Sequence, residues 1–379
     1  MPEILRWHDT EDPLRIVQQA AQALAEGQLV AFPTETVYGI AASVWIPEAV
    51  DRLAACKDRS EQKPMALAVR SAEEVLDWMP GLGKVGWRLA RRCFPGPVTL
   101  VSGDGLTAGP ANRLPESVRS RVCPTGTLGL RVPCHEAILQ VLNVLGGPLV
   151  LTSANPSGRA DATTADEVAR TLADRVALII DDGPSPLGRP STVVVVEGEK
   201  WRMVREGAMT AADLQVLSAC WIVFVCTGNT CRSPLAEALC KNMLAERVGC
   251  TVKELPQRGF VVQSAGLAAF GGDRAAPEAI EAARELGADI QNHETQPVTG
   301  DLVFLVDYLV TMTQGQLQIL LSRFPYEGVA PRVLCPDGTD VADPVGCDLT
   351  VYRECARRLQ QHLQPWVQEL VSGEMIDEG

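Results

Sequence analysis

One short stretch late in the chain, Val225-Cys226-Thr227-Gly228-Asn229-Thr230-Cys231-Arg232-Ser233-Pro234, sets a thiol and a guanidinium around a run of turn-forming residues. Gly228 and Asn229 suit a tight loop, and inward-pointing backbone N–H groups make such a loop a hollow for an anion. A helix starting behind the loop adds the positive end of its dipole, and the same field favours the thiolate, the nucleophilic form of a cysteine. This is phosphate chemistry: Cys226 attacks phosphorus and Arg232 holds the oxygens. A single cysteine is otherwise an inert packed residue. What separates the two readings is the agreement of loop, helix start and arginine. Downstream, Asp340-Val341-Ala342-Asp343-Pro344-Val345-Gly346 would by itself read as an ordinary Asp-Pro turn.

A second set of groups lies earlier. Pro33-Thr34-Glu35-Thr36-Val37-Tyr38-Gly39 clusters hydroxyls just beyond an apolar run, a place where open sheets bind polar ligands. Lys57-Asp58-Arg59 brings two cations to the end of an apolar helical pattern. Leu149-Val150-Leu151-Thr152-Ser153-Ala154-Asn155 is an apolar run that breaks into a polar loop, and Gly129-Leu130-Arg131-Val132-Pro133 carries an inward arginine. Each has a plainer reading as turn residues, caps or complements of a helix dipole. No Walker loop is present, so this is not a P-loop enzyme.

These groups need elements to hold them. In the first half, residues 14–26 read as a helix stopped by Gly27, residues 29–32 as a strand, and residues 149–153 and 176–180 as buried strands. Residues 191–196 and 201–205 flank the turn Glu197-Gly198-Glu199-Lys200 as a hairpin. The expected fold there is α/β with a twisted, mixed sheet. In the second half, Ile222-Val223-Phe224-Val225 is a buried strand. Leu235, Leu239 and Met243 mark a helix face, with Pro234 expected at its first position and Ser233 as N-cap. Strands at 260–266, 308–313 and 332–335 alternate with helices, and a closing helix from Val351 is expected to kink or end near Pro365. That pattern gives a small doubly wound parallel sheet with the cradle at a strand's C-terminal end. The domains are expected at 1–215 and 216–379.

Composition narrows the class. The chain has 379 residues, long for one domain, with 46% hydrophobic residues and mean hydropathy +0.05. No apolar run approaches a membrane span, the start shows no signal pattern, and no membrane association is expected. Twelve cysteines without regular spacing indicate thiols in a reducing cytoplasm, and no metal site is expected. The four histidines form no ligand spacing; His293 reads as an ordinary histidine or a brace for the loop. A net charge of -13 argues against a broad nucleic-acid surface, so any nucleic-acid contact is expected to be weak, indirect or confined to a local basic groove.

The blocks at residues 33–39, 57–59 and 153–155, followed by Ser191-Thr192-Val193 and Arg205, resemble the YrdC-type L-threonylcarbamoyladenylate synthases over about residues 14–210. The resemblance implies condensation of L-threonine, bicarbonate and ATP, with Mg2+ accompanying ATP, to threonylcarbamoyl-AMP and pyrophosphate. It implies hand-over to downstream proteins that modify tRNA, and with the charge above, tRNA contact is expected to be weak or indirect. It assigns Lys57, Arg59, Asn155, Thr163 and Arg205 to ATP, and Thr34, Thr36, Arg131, Ser153 and Ser191 to threonine. Two positions depart from the family pattern: Ser60, where a proline is common, and Ala68, where many members carry histidine.

Cys226, Arg232, Ser233 and Asp343-Pro344 resemble the low-molecular-weight protein tyrosine phosphatase family over about residues 221–367. The resemblance implies a cysteinyl-phosphate intermediate, with Asp343 protonating the leaving group and then activating water, no cofactor and phosphoprotein substrates, with Thr227, Gly228, Asn229, Thr230, Cys231 and Ser233 supporting the loop. Thr230 and the non-aromatic Val345-Gly346 look like the protein-arginine phosphatase branch. Arsenate reductases of this fold need a downstream pair of redox cysteines, which the region after Cys250 lacks. Cys231 is either a disulfide partner that shields Cys226 or a packed thiol.

Overall fold

A computed structural model describes residues 2–57, 64–325 and 330–372. It divides into two compact units, residues 1–217 and 218–379, two residues beyond the boundary expected from the sequence. The helix Ala211–Ser218 closes the first unit.

The first unit is built on a ten-stranded mixed sheet, counted among the described residues. Its strands are β1 (Glu3–Arg6), β2 (Val30–Phe32), β3 (Gly39–Ser43), β4 (Ala66–Ala68), β5 (Val98–Ser102), β6 (Leu128–Arg131), β7 (Leu149–Ser153), β8 (Leu178–Asp181), β9 (Thr192–Glu197) and β10 (Lys200–Arg205). The spatial order is β1-β8-β2-β3-β7-β4-β6-β5-β9-β10, with β9 and β10 forming the expected antiparallel hairpin. Successive side chains on a strand face opposite ways. Accordingly Ala31 enters one apolar core, while Val30 and Phe32 enter a second. The helix Pro13–Ala25 lies in the second core, capped by Asp12 and ended at Gly27, whose φ of +78° suits glycine.

The second unit holds four parallel strands in the order β12-β11-β13-β14: β11 (Cys220–Cys226), β12 (Phe260–Gly266), β13 (Tyr308–Thr311) and β14 (Arg332–Val333). The parity of β11 sends Ile222, Phe224 and Cys226 to one face and Trp221, Val223 and Val225 to the other. Helices Arg232–Val248, Pro277–Glu285 and Leu349–Ser372 contribute buried residues to the first face. Helices Gly300–Leu305 and Gln314–Arg323 do so on the other. This is the doubly wound arrangement expected.

Three local expectations change. The strand expected at 332–335 is only Arg332–Val333. The closing helix runs from Leu349 to Ser372 straight through Pro365. A helical proline forfeits one hydrogen bond, but burial of Leu363, Trp366 and Val367 on either side holds the helix in place. The helix behind the thiol loop begins at Arg232 with Cys231 as N-cap, so Pro234 is its third residue and Ser233 caps nothing. Among the described residues no helix is long and apolar enough to cross a membrane.

Phe224 is fully buried and meets Trp366 edge to face, with ring centroids 5.9 Å apart. Phe224→Ala is expected to lower the unfolding free energy of the second unit by about 3–5 kcal/mol, measured by denaturant titration of tryptophan fluorescence.

Candidate active sites

In the first unit, sheet register brings the polar loops together. Gly39 pairs with Ser153 across β3 and β7, so the loop that precedes β3 and the loop that follows β7 leave the same edge. The backbone stitches them: Ala154 N–H donates to Tyr38 O at 2.7 Å and Ser157 N–H to Lys57 O at 3.1 Å. Lys57, directly after the helix Pro47–Cys56, is 3% exposed. Its ammonium donates to Ser153 O at 2.6 Å, Asn155 Oδ1 at 3.0 Å and Ser153 Oγ at 3.2 Å. Asn155 Nδ2 in turn donates to Arg159 O. Lys57, Ser153 and Asn155, distant in sequence, therefore form one buried cluster.

A second cluster surrounds Arg131 at the end of β6. Its Nη2 donates to Thr36 Oγ1 at 2.6 Å and to Glu35 Oε1 at 2.7 Å, while Glu35 Oε2 accepts from Cys134 N–H. Thr34 Oγ1 donates to Val37 O and lies 2.9 Å from Thr36 Oγ1. Arg131 Nε is buried without a partner among the described residues, a donor left for a ligand. Arg205, ending β10, donates from Nη2 to Ser191 O at 2.8 Å and Ser191 Oγ at 3.2 Å. Burial, opposed by Asp161 and reinforced by Arg131, weakens the hold of Arg205 on its proton. A cavity of about 220 Å3 is lined by Thr34, Arg131, Ser153, Ser191 and Arg205 together with Thr99.

Not every expected residue takes this form. Thr163 gives its N–H and hydroxyl to the Glu167 carboxylate, at 2.7 and 3.1 Å, and these bonds hold that carboxyl below its usual range. Its hydroxyl is thus engaged by Glu167, while the cap of that helix is the hydroxyl of Thr164, which accepts from Glu167 N–H at 3.3 Å. Ser191 and Arg205, expected on different substrates, bond each other. Arg59 and the Ser60 departure lie outside the described residues. Glu35, quoted in its block but given no role, is the anion that sets the Arg131 fork. Only the folded register shows that pairing.

In the second unit the loop after β11 turns its carbonyls outward. Leu267 N–H donates to Cys226 O, Ala268 N–H to Thr227 O and Ala276 N–H to Thr230 O, while His293 Nε2 lies 2.7 Å from Asn229 O. Within the loop, Asn229 N–H donates toward Cys226 Sγ at 3.2 Å. Asn229 is fully buried with φ of +59°, the left-handed region that asparagine tolerates better than most residues. Its Nδ2 donates to Ser233 Oγ and Ser264 Oγ, both at 2.9 Å, and its Oδ1 accepts from Gln296 N–H. Ser264 passes its proton to Glu237 at 2.6 Å. Ser233 Oγ accepts from Asn229, lies 3.0 Å from Cys226 Sγ in a bond that either group can donate, and has Ala265 O at 3.4 Å as a second acceptor. Ser233 thus sits beside the sulfur.

Arg232 is 4% exposed; Nη1 donates to Val341 O at 3.2 Å and Nη2 to the Asp343 carboxylate, while Nε is buried without a partner among the described residues. Thr227 Oγ1 accepts from Gln316 Nε2. A Cβ on Gly266 would lie 2.9 Å from Thr227 O, so glycine is required under the loop. Cys226 and Cys231 are free thiols; Cys231 Sγ contacts Tyr352 Oη at 3.3 Å and Thr230 Oγ1 at 3.5 Å, and burial pushes the Cys231 thiol up. Ser264, Glu237 and Gln316 carry no motif and were invisible in the sequence. Among the described residues no cluster of His, Cys, Asp or Glu is arranged for a metal ion.

Comparison with known proteins follows the same division. A family model described as "Telomere recombination" (Sua5, YciO, YrdC) matches residues 22–207, and one described as low molecular weight phosphotyrosine protein phosphatase matches 221–374. A threonylcarbamoyl-AMP synthase of Marinobacter nauticus is 32% identical over 199 residues, 51% of this chain and 99% of its own. The chain belongs to the threonylcarbamoyl-AMP synthase family, fused to a low-molecular-weight phosphatase domain. A threonylcarbamoyl-AMP synthase of Pyrococcus abyssi is 33% identical over 202 residues, 52% of this chain. The chain spans only about half of that relative, 56% of its length. A solved structure named YwlE arginine phosphatase, from Geobacillus stearothermophilus, is 30% identical, covering 41% of this chain and 95% of its own, with TM-score 0.36.

In the phosphatase domain, Ser233→Ala removes the hydroxyl beside the sulfur. A hydrogen bond to a charged group is worth about 1.5–3 kcal/mol, so alkylation of Cys226 by iodoacetamide at neutral pH is expected to slow roughly tenfold to hundredfold. Mass spectrometry of the modified peptide reads the rate; an unchanged rate would remove Ser233 from the site.

Proposed function

We propose that the chain is a bifunctional enzyme: a synthase making threonylcarbamoyl-AMP, and a phosphatase acting through a cysteinyl-phosphate. In the synthase, the threonine amine attacks bicarbonate to give N-carboxythreonine and water. An oxygen of that carbamate then attacks the α-phosphorus of ATP, and pyrophosphate leaves. The protein's part in such a reaction is positioning and neutralisation of charge. The cavity that holds two guanidiniums among hydroxyls carries this reading. Arg131, steered by Glu35, suits the amino-acid carboxylate, and Lys57 the phosphates. Mg2+ would enter on the ATP phosphates; the cavity's cations and hydroxyls suit phosphate oxygens and not the ion itself. The product would serve tRNA modification in the cytoplasm.

In the phosphatase, Cys226 thiolate attacks phosphorus while the leaving group takes a proton from Asp343. Asp343 then takes a proton from water, which attacks the cysteinyl-phosphate and frees phosphate. Arg232 and the loop N–H groups hold the equatorial oxygens. The Arg232–Asp343 ion pair and the Asn229 N–H turned toward the sulfur support this reading. For the substrate we favour phosphoarginine. Thr230 puts a hydroxyl in the loop where it interacts with a guanidinium better than a methyl does, and Val345-Gly346 give no aromatic wall for a phenol ring.

Lys57→Ala is expected to cut pyrophosphate release dependent on threonine, bicarbonate and ATP by about 10²–10³-fold while sparing phosphatase turnover; Cys226→Ser should do the reverse. Loss of both activities in either variant would contradict two independent sites. Phosphoarginine peptides should be hydrolysed with higher kcat/KM than phosphotyrosine peptides, and Thr230→Ile should narrow the ratio. A wild-type preference for phosphotyrosine would overturn the substrate assignment.

A further inference from the structure

Thr99 stands on β5, between β6, which ends in Arg131, and β9, which Ser191 leads into. It is 7% exposed and lines the same cavity as Arg131, Ser191 and Arg205. Thr99 Oγ1 lies 2.8 Å from Ser191 Oγ, and Ser191 Oγ accepts from Arg205 Nη2 at 3.2 Å. A hydroxyl has one proton and two lone pairs. Arg205 occupies one lone pair of Ser191. The bond between the two hydroxyls uses one of their two protons, whichever way it runs. One hydroxyl proton therefore remains, beside a guanidinium. A donor of adaptable direction next to a fixed cation is a place for a small oxyanion.

The rest of the cavity says which one. Arg131 is held by Glu35 and Thr36, and its buried Nε has no partner among the described residues. Arg131 and Arg205 line the same cavity, so it holds two like charges for an anion. Lys57 and Asn155 bond Ser153, whereas the lining residues next to Thr99, Val101 two positions along its strand and Val193 opposite it on β9, are apolar. A recessed hydroxyl pair beside apolar strand residues fits a small planar ion better than a branching triphosphate.

We propose that Thr99, with Ser191 and Arg205, holds bicarbonate and then the carboxylate oxygens of the carbamate formed from it, leaving Arg131 to the amino-acid carboxylate. This rests on the synthase reading above and reassigns Ser191 from threonine, and Arg205 from ATP, to the carbon dioxide-derived group. Thr99 is thus a substrate-contacting residue that the sequence motifs do not include.

The test uses the full chain with Thr99→Val, which keeps the shape and deletes the hydroxyl, and Thr99→Ser, which keeps the hydroxyl. In pyrophosphate release, Thr99→Val should raise KM for bicarbonate about tenfold or more, with KM for threonine and ATP unchanged, and Thr99→Ser should restore it. A rise confined to ATP or threonine, or no change, overturns the assignment. In parallel, line broadening of 13C-bicarbonate by the protein should be lost in Thr99→Val and kept in Thr99→Ser. If the wild type releases no pyrophosphate, the synthase reading fails by itself. The broadening then decides the site: its selective loss in Thr99→Val supports an oxyanion site, and equal broadening in both variants overturns it.

Discussion

The side-chain amide of Asn229 is the interaction on which the phosphatase domain depends. It is fully buried in a left-handed backbone conformation, and every polar atom of the amide is engaged. A buried amide without partners costs free energy, so the folded loop is stable only when Ser233, Ser264 and the Gln296 backbone converge on it. That convergence fixes where the backbone N–H groups point. It also holds the Ser233 hydroxyl beside the sulfur. The carbonyls follow, because the segment after β12 and His293 accept no other geometry for the loop they bond.

The synthase half solves a related problem with different parts. There the hollow is not one loop but the meeting of several, and sheet register is the device that assembles it. Gly39 opposite Ser153 aligns two loops, and the parallel pairing of β5 with β9 sets Thr99 beside the approach to Ser191. Buried cations in such a place need partners. Lys57 finds oxygens of the β7 loop, Arg131 finds Glu35, and Arg205 finds Ser191. Each is oriented by neutral or anionic oxygens of the protein before any substrate arrives, which is the preorganisation that phosphoryl chemistry rewards.

The sequence showed the phosphatase site more completely than the synthase site, and the reason is chain distance. Cys226, Asn229, Arg232 and Ser233 lie within one short run of chain, from the end of β11 to the first turn of the helix, where spacing largely determines geometry. Asp343 came from an Asp-Pro pair whose meaning depended on that loop. In the synthase, Thr34, Lys57, Arg131, Ser153 and Ser191 are spread over most of the domain. Their types were legible, but their partners were not. Glu35 looked like one more turn residue, and Thr99 like a strand residue. Glu167, one helical turn beyond Thr163, takes the hydroxyl proton of that threonine, a partner the spacing did not reveal. The helix start was misplaced for a similar reason: a serine next to a proline signals a cap, but here the hydroxyl bonds Asn229 and lies beside a sulfur.

The account's central claim is that the buried loop presents Cys226 to phosphorus. The most direct measurement is rapid acid quenching of the full chain during turnover of a phosphoarginine peptide, followed by mass spectrometry of the Cys226 peptide. The account predicts a transient phosphoryl group on the Cys226 sulfur that accumulates when Asp343 is replaced by asparagine. Turnover with no phosphoryl adduct on that peptide, or with the phosphoryl group on a different residue, would contradict it.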